Sequence, residues 1–227
     1  MENYHHRGRR RKLIEDLRQR GGIDERVLSV MANVPRHLFI EQAFEDRAYA
    51  DEPLPISCEQ TISQPTTVGL QSTYLQVLPR QKILEIGTGS GYQAAVLALL
   101  GGRVFTLERH EQLFQATRKR LRKLRFGQVR CYLRDGYGGL PEMAPFDRIL
   151  VTAGAPEVPE SLLGQLAPGG IMVVPVGTEE QRMLRLTKDL DGRLREEDLG
   201  AFRFVPFLAG IAHLEKSGKR PTFDNER

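Results

Sequence analysis

The sequence predicts an α/β fold: an open, doubly wound, mostly parallel sheet with antiparallel edge strands near the C-terminus and a helical cap at the N-terminus. From residue 66 onward, short apolar runs alternate with helix-period segments, which places parallel strands beneath covering helices. A glycine-rich turn, Gly87-Thr88-Gly89-Ser90-Gly91, stands between one such strand and the helix after it. The first sixty residues lack that alternation and carry two short helix patterns followed by a proline-rich stretch.

In the cap, Leu13, Ile14 and Leu17 give a helix stripe over Lys12–Arg20, ended by Gly21-Gly22. Asp24 is placed to cap a second helix reaching Asn33, and Pro35 stops it. Prolines at 35, 53 and 55 make Pro35–Ser57 an ordered connection. The alternation then predicts a helix at Thr66–Leu78, a strand at Lys82–Ile86, a helix at Tyr92–Leu100 and a strand at Arg103–Glu108. A long basic helix follows at Glu111–Arg125, then strands at Val129–Arg134, Phe146–Thr152 and Ile171–Val176. Met183–Thr187 and Gly200–Phe207 alternate like antiparallel edge strands. With 227 residues the chain is expected to form one domain: cap 1–60, α/β core 61–210 and tail 211–227.

Bulk composition narrows the function classes. Hydrophobic residues at 40% and charged residues at 27% predict a folded chain. The longest apolar stretch, Ala94–Leu100, is far short of the roughly 20 residues a membrane crossing needs. No secretory pattern follows the basic N-terminus, so no membrane partner and a cytoplasmic location are expected. Cys58 and Cys131 form no CxxC pair and read as buried thiols; no metal is expected. His5, His6, His37, His110 and His213 are scattered, and none is assigned a catalytic role. Most of the net charge of +4 sits in Arg7–Lys12 and Arg118–Arg125. Those clusters read as solvated helix faces, since neither interleaves aromatics, and nucleic acid is not the expected partner.

The glycine turn carries the chemistry. Gly87, Gly89 and Gly91 follow an apolar strand, where a backbone must turn tightly and approach a ligand closely. The spacing is GxGxG behind an acid on the strand, Glu85, whereas a dinucleotide fingerprint prefers GxGxxG. No lysine follows, which excludes a Walker loop, and Thr88 precludes a GxSxG elbow at Ser90. Glu108 ends the next strand, where a carboxylate can accept both hydroxyls of a ribose. Asp135-Gly136 follows the third strand; it is placed either to receive an adenine amine or to make a simple turn.

With these residues in view, the sequence resembles the class I S-adenosylmethionine methyltransferases, and among them the protein-L-isoaspartate O-methyltransferase family. Gln60-Thr-Ile-Ser-Gln-Pro65 narrows it, with Val34-Pro-Arg-His-Leu-Phe39, Pro53-Leu-Pro-Ile56, Leu84–Gln93, Val151-Thr-Ala153, Val174-Pro-Val-Gly177 and Arg203-Phe-Val-Pro206 in family order. Where the family carries glycines before its Thr-Ile-Ser element, Ser57-Cys58-Glu59 stands here. The resemblance implies a Rossmann-like domain that methylates the free α-carboxylate of L-isoaspartyl residues in damaged proteins and peptides. S-adenosyl-L-methionine is then the methyl donor and S-adenosyl-L-homocysteine the product. The methyl ester collapses to a succinimide, which gives the normal linkage another chance to form. Cofactor contacts fall to Thr61, Ile62, Glu85, Gly87, Thr88, Gly89, Gly91, Glu108, Arg109, Asp135 and Gly136.

Ser63 is the candidate catalytic residue, a hydroxyl that orients the substrate carboxylate; its structural alternative is an N-cap two residues before Pro65. Val174, Val176, Phe204 and Val205 are expected to offer backbone hydrogen bonds to an extended peptide, or else to be a buried strand end and an edge strand. A carboxylate with a pKa of about 4 is already ionised at neutral pH, so no general base is required. Two rival readings remain: a methyltransferase-like domain that binds nucleic acid through its basic clusters, and a nicotinamide-dependent oxidoreductase.

Overall fold

The computed structural model describes residues 4–214 and 223–224. Helix α1 (Tyr4–Arg20) starts eight residues before the apolar stripe does, because its first half buries only His6 while Leu13, Ile14 and Leu17 form the rest of its inner face. Helix α2 (Glu25–Met31) begins as expected at Asp24, whose carboxylate accepts the Arg26 amide at 2.7 Å. Two 3-10 turns, Arg36–Phe39 and Gln42–Arg47, make up much of the ordered connection. Next, β1 (Leu54–Pro55) and β2 (Thr61–Ile62) pair as a small antiparallel hairpin.

The core then alternates: α3 (Pro65–Leu75), β3 (Lys82–Ile86), α4 (Tyr92–Leu99), β4 (Arg103–Glu108), α5 (Glu111–Lys123), β5 (Arg130–Leu133), β6 (Phe146–Val151), α6 (Glu160–Gly164), β7 (Leu166–Val176), β8 (Gln181–Lys188) and β9 (Leu194–Phe202). The sheet has seven strands in the order β5-β4-β3-β6-β7-β8-β9, parallel from β5 through β7 and antiparallel at β8 and β9. Strand order therefore reverses at β3, where the chain runs outward to β4 and β5 and later returns beside β3 as β6. Crevices outside the carboxyl ends of strands at such a switch bind ligands, and the glycine turn lies there.

Alternate side chains of β3 feed two cores. Ile83 packs with Leu17, Leu28, Val68 and Leu97 from α1, α2, α3 and α4. Leu84 and Ile86 pack with Phe105, Phe146, Val151 and Leu162 on the opposite face. The cap is thus a layer of the main core, and the second face is covered more thinly, by the five-residue α6 and neighbouring loops.

Two expectations need correction. The last edge strand is Leu194–Phe202 rather than Gly200–Phe207. Its residues are largely exposed and polar, so no apolar alternation marks it; Arg182–Asp198 and Arg185–Glu197 pairs tie it to β8. Cys58 and Cys131 are free but half-buried, not buried. In the tail, β10 (Ile211–Ala212) pairs with β11 (Phe223–Asp224), and residues 215–222 and 225–227 lie outside the described residues. No described helix is long and apolar enough to cross a membrane.

Candidate active site

After Ile86 the chain passes through Gly87 and Gly89 at φ 94° and 50°. A Cβ on Gly87 would lie 2.5 Å from Thr152 Oγ1, and that hydroxyl donates to the Ile86 and Gly87 carbonyls at 2.9 and 2.8 Å. Only glycine satisfies both the dihedral and the contact. The Gly89 amide donates to Glu108 Oε2 at 2.8 Å, while Thr117 Oγ1 of α5 donates to the Gly89 carbonyl at 2.6 Å. Glu108 is 4% exposed and also accepts the His110 amide at 2.9 Å. Burial pushes its carboxyl up, and these backbone donors pull it back.

Two cavities meet beside this turn. The first lies between the glycine turn, Gln60–Ser63, Glu108–His110, Gly136 and the segment Val205–Leu208. Its mixed polar and apolar lining is that of a small-molecule site. The second is a wider groove of about 2000 Å³ running past Pro53, Thr66, Glu179, Phe202 and Phe204. Thr61, Ser63, Thr152 and Val205 belong to both walls. Ser63 does not cap α3: the N-cap is Gln64, and no hydrogen bond engages the Ser63 hydroxyl among the described residues.

Residues 205–210 form a strap across the first cavity. Gly154 donates to the Val205 carbonyl and accepts from the Phe207 amide, both at 2.8 Å. The Tyr137 ring stacks on Phe207 with centroids 4.1 Å apart, and its hydroxyl donates to the Phe207 carbonyl at 3.2 Å. Arg109 donates to the carbonyls of Gly210 and Ala209 at 2.9 and 3.1 Å. Asp135 accepts the amides of Gly210 and Tyr137 at 2.7 and 2.9 Å.

The structure brings Thr61, Ile62, Ser63, Gly87, Thr88, Gly89, Glu108, Arg109, Gly136 and Val205 to the first cavity, and Phe204 to the groove. Others expected there are elsewhere. Glu85 is fully buried under the turn, opposite Thr106 and Leu150, and burial pushes its carboxyl up to about 8. It is a neutral acid there, not a wall residue. Gly91 packs against α5, where a Cβ would come 2.7 Å from Thr117 Cγ2. Asp135 lies just behind the wall and holds the strap.

Val174 is buried, and the backbone of this strand end is consumed on both sides: β8 pairs one edge, while Ala155 exchanges hydrogen bonds with Pro175 and Gly177 on the other. No free edge remains there for a peptide. The Phe204 amide is likewise taken, by Gln181 Oε1 at 2.9 Å. Sequence reasoning gave no site role to Gln60, His110 and Thr152, which line the first cavity, or to Tyr137 and the strap it holds. Thr152 lay within a quoted family segment; His110, which burial and Arg109 push toward the neutral form, carried no signal beyond its place after Glu108.

Comparisons with known proteins identify the family. The family described as protein-L-isoaspartate(D-aspartate) O-methyltransferase (PCMT) matches residues 8–211. A protein-L-isoaspartate O-methyltransferase of Cytophaga hutchinsonii is 50% identical over 219 residues, covering 96% of this chain and 99% of its own. That of Christiangramia forsetii is 48% identical over 207 residues, covering 91% and 97%. A crystal structure of a Plasmodium falciparum protein of the same description, in complex with S-adenosyl-L-homocysteine, superposes with a TM-score of 0.77 at 27% identity, over 91% of this chain and 99% of that one. The chain belongs to the protein-L-isoaspartate O-methyltransferase family.

Proposed function

We propose that this chain transfers the methyl group of S-adenosylmethionine to the free α-carboxylate of L-isoaspartyl residues in damaged proteins and peptides. The observation that carries the reading is the meeting of two cavities at a shared wall that includes Ser63. A methyl group passing between two ligands needs such a junction.

The first cavity fits the donor. Glu108 sets carboxylate oxygens on its wall to accept ribose hydroxyls, and Gly87, Thr88, Gly89 and Ser90 line it beside that acid. Ile62, Leu107, Val205 and Phe207 supply apolar cover. When bound, S-adenosylmethionine supplies a methyl group on a sulfonium centre that is open to in-line displacement.

The four shared wall residues include no base. None is needed: the substrate carboxylate arrives ionised, a carboxylate oxygen to methyl bond forms as the methyl to sulfur bond breaks, and no proton moves. Thr152 has its hydroxyl committed to backbone carbonyls, whereas that of Ser63 is available to orient the carboxylate. One neutral donor aligns the nucleophile without burying its charge under a strong counter-ion, and alignment alone can supply roughly 7 to 11 kcal/mol in favourable cases.

On this reading the chain works as a single domain in the cytoplasm, a compartment consistent with its two free thiols. The test offers labelled S-adenosylmethionine with an isoaspartyl peptide and, separately, its aspartyl twin. Label should enter the first alone. Label in neither, or equally in both, would overturn the proposal.

A further inference from the structure

We propose that Asp51 is a positioning residue for methyl transfer, fixing Ser63 by capping helix α3 from outside its own segment. The inference rests on the functional reading above.

Helix α3 has an unusual start. Its N-cap residue, Gln64, forms no capping bond with its own backbone, and Pro65 at the first turn has no amide hydrogen. The first amide in need of an acceptor is that of Thr66. Asp51, fifteen residues upstream, meets it: Oδ1 accepts the Thr66 amide at 2.8 Å, and Oδ2 accepts the Thr66 hydroxyl at 2.6 Å and Gln64 Nε2 at 3.3 Å. Arg20, at the end of α1, forms an ion pair with the same carboxylate, whose side chain is 10% exposed. Burial pushes the Asp51 carboxyl up, yet these donors together hold it below the usual carboxylate range. A full negative charge also sits at the positive end of the helix dipole.

Ser63 is thereby pinned from both sides. On one side, Ile62 pairs with Leu54 in the small hairpin. On the other, Gln64 and Thr66 are held by Asp51, which itself lies only three residues before Leu54. The loop that carries the orienting hydroxyl thus has its two ends tied to one short stretch, residues 51–54. Displacement of a reacting group by about 1 Å can cost on the order of 100-fold in rate, and Asp51 is the residue whose loss frees this loop.

The test is a double-mutant cycle of wild type, Asp51→Asn, Ser63→Ala and the double variant. It reads kcat and KM on an isoaspartyl peptide, and S-adenosylhomocysteine affinity by calorimetry. Asp51→Asn should lower kcat by about 10- to 100-fold while leaving product affinity nearly unchanged. In the Ser63→Ala background the same change should lower kcat by less than about twofold, because no hydroxyl is left to position. Arg20→Ala, which spares the bonds to Thr66 and Gln64, should stay close to wild type. Equal losses in both backgrounds would show a merely structural role and overturn the proposal. If Asp51→Asn does not fold, Thr66→Ala removes one of the bonds and should show a smaller loss with the same dependence on Ser63. A wild type without methyl transfer refutes the functional reading itself; Ser63→Ala with full kcat leaves that reading intact and removes Asp51 from it.

Discussion

Single atoms decide the chemistry at two residues. Because Gln64 rather than Ser63 is the N-cap of α3, Ser63→Ala should cost little stability. It should lower kcat sharply and leave S-adenosylhomocysteine affinity unchanged, the pattern of an interaction made chiefly in the transition state. Normal turnover in the alanine variant would remove Ser63 from the mechanism. Glu108 differs, since its carboxylate both faces the cavity and accepts the Gly89 and His110 amides. Truncation to alanine would strand two buried donors and confuse binding with folding. Glu108→Gln keeps the side chain's shape and strands one of these amides rather than two: it should weaken product binding by about 1.5 to 3 kcal/mol in calorimetry, with urea unfolding of the same variant separating binding from folding. Unchanged affinity would mean that Glu108 only shapes the turn.

At the scale of elements, β3, β4, α4 and the glycine turn were legible because each is a local pattern, a short apolar strand or a helix stripe bounded by Gly or Pro. Lys82–Ile86 and Arg103–Glu108 are found at the expected residues. Edge strand β9 was not legible, since exposure on both faces leaves no alternation to read. The strap was hidden for a different reason: residues 205–210 are ordered by Gly154, Tyr137, Arg109 and Asp135, all distant in sequence. Arg109, on the wall of the first cavity, and Asp135, just behind it, both also hold the strap down, a role that no local pattern announces. The turn at Ser57–Glu59 shows the converse, a conformation kept despite its residues: Cys58 and Glu59 adopt φ 61° and 56°, the left-handed region that glycine occupies at least cost. If the strap encloses the bound cofactor, loosening it should speed exchange. Tyr137→Phe removes the bond to Phe207 and keeps the ring stack, so the S-adenosylhomocysteine off-rate should rise severalfold in stopped-flow while stability falls by about 1 kcal/mol. An unchanged off-rate would leave the strap as fixed wall.

Across the whole molecule, the reversal of strand order at β3 creates the crevice, and the sheet places an acid beneath its floor. Glu85 is wholly enclosed beside Thr106, and burial is the main cause of its raised pKa, with the Glu108 charge pushing the same way. The consequence for stability has a definite sign. In the folded protein the carboxyl stays protonated up to about pH 8, while in the unfolded chain it ionises near 4.5. Below pH 4.5 both states carry the proton, and the contribution to stability is fully present. As pH rises toward 8 the unfolded state alone gains from ionisation, and stability is lost at about 1.4 kcal/mol per pH unit. Above 8 both states are ionised and the loss levels off. Glu85→Gln keeps the shape and cannot ionise, so the advantage of the variant over wild type in urea unfolding should grow between pH 5 and 8 and then plateau. A difference that stays flat across that range would mean that Glu85 is charged in the folded protein. The turn above it would then rest on an anion, with the glycine-loop amides already spent on Leu107, Thr88 and Glu108.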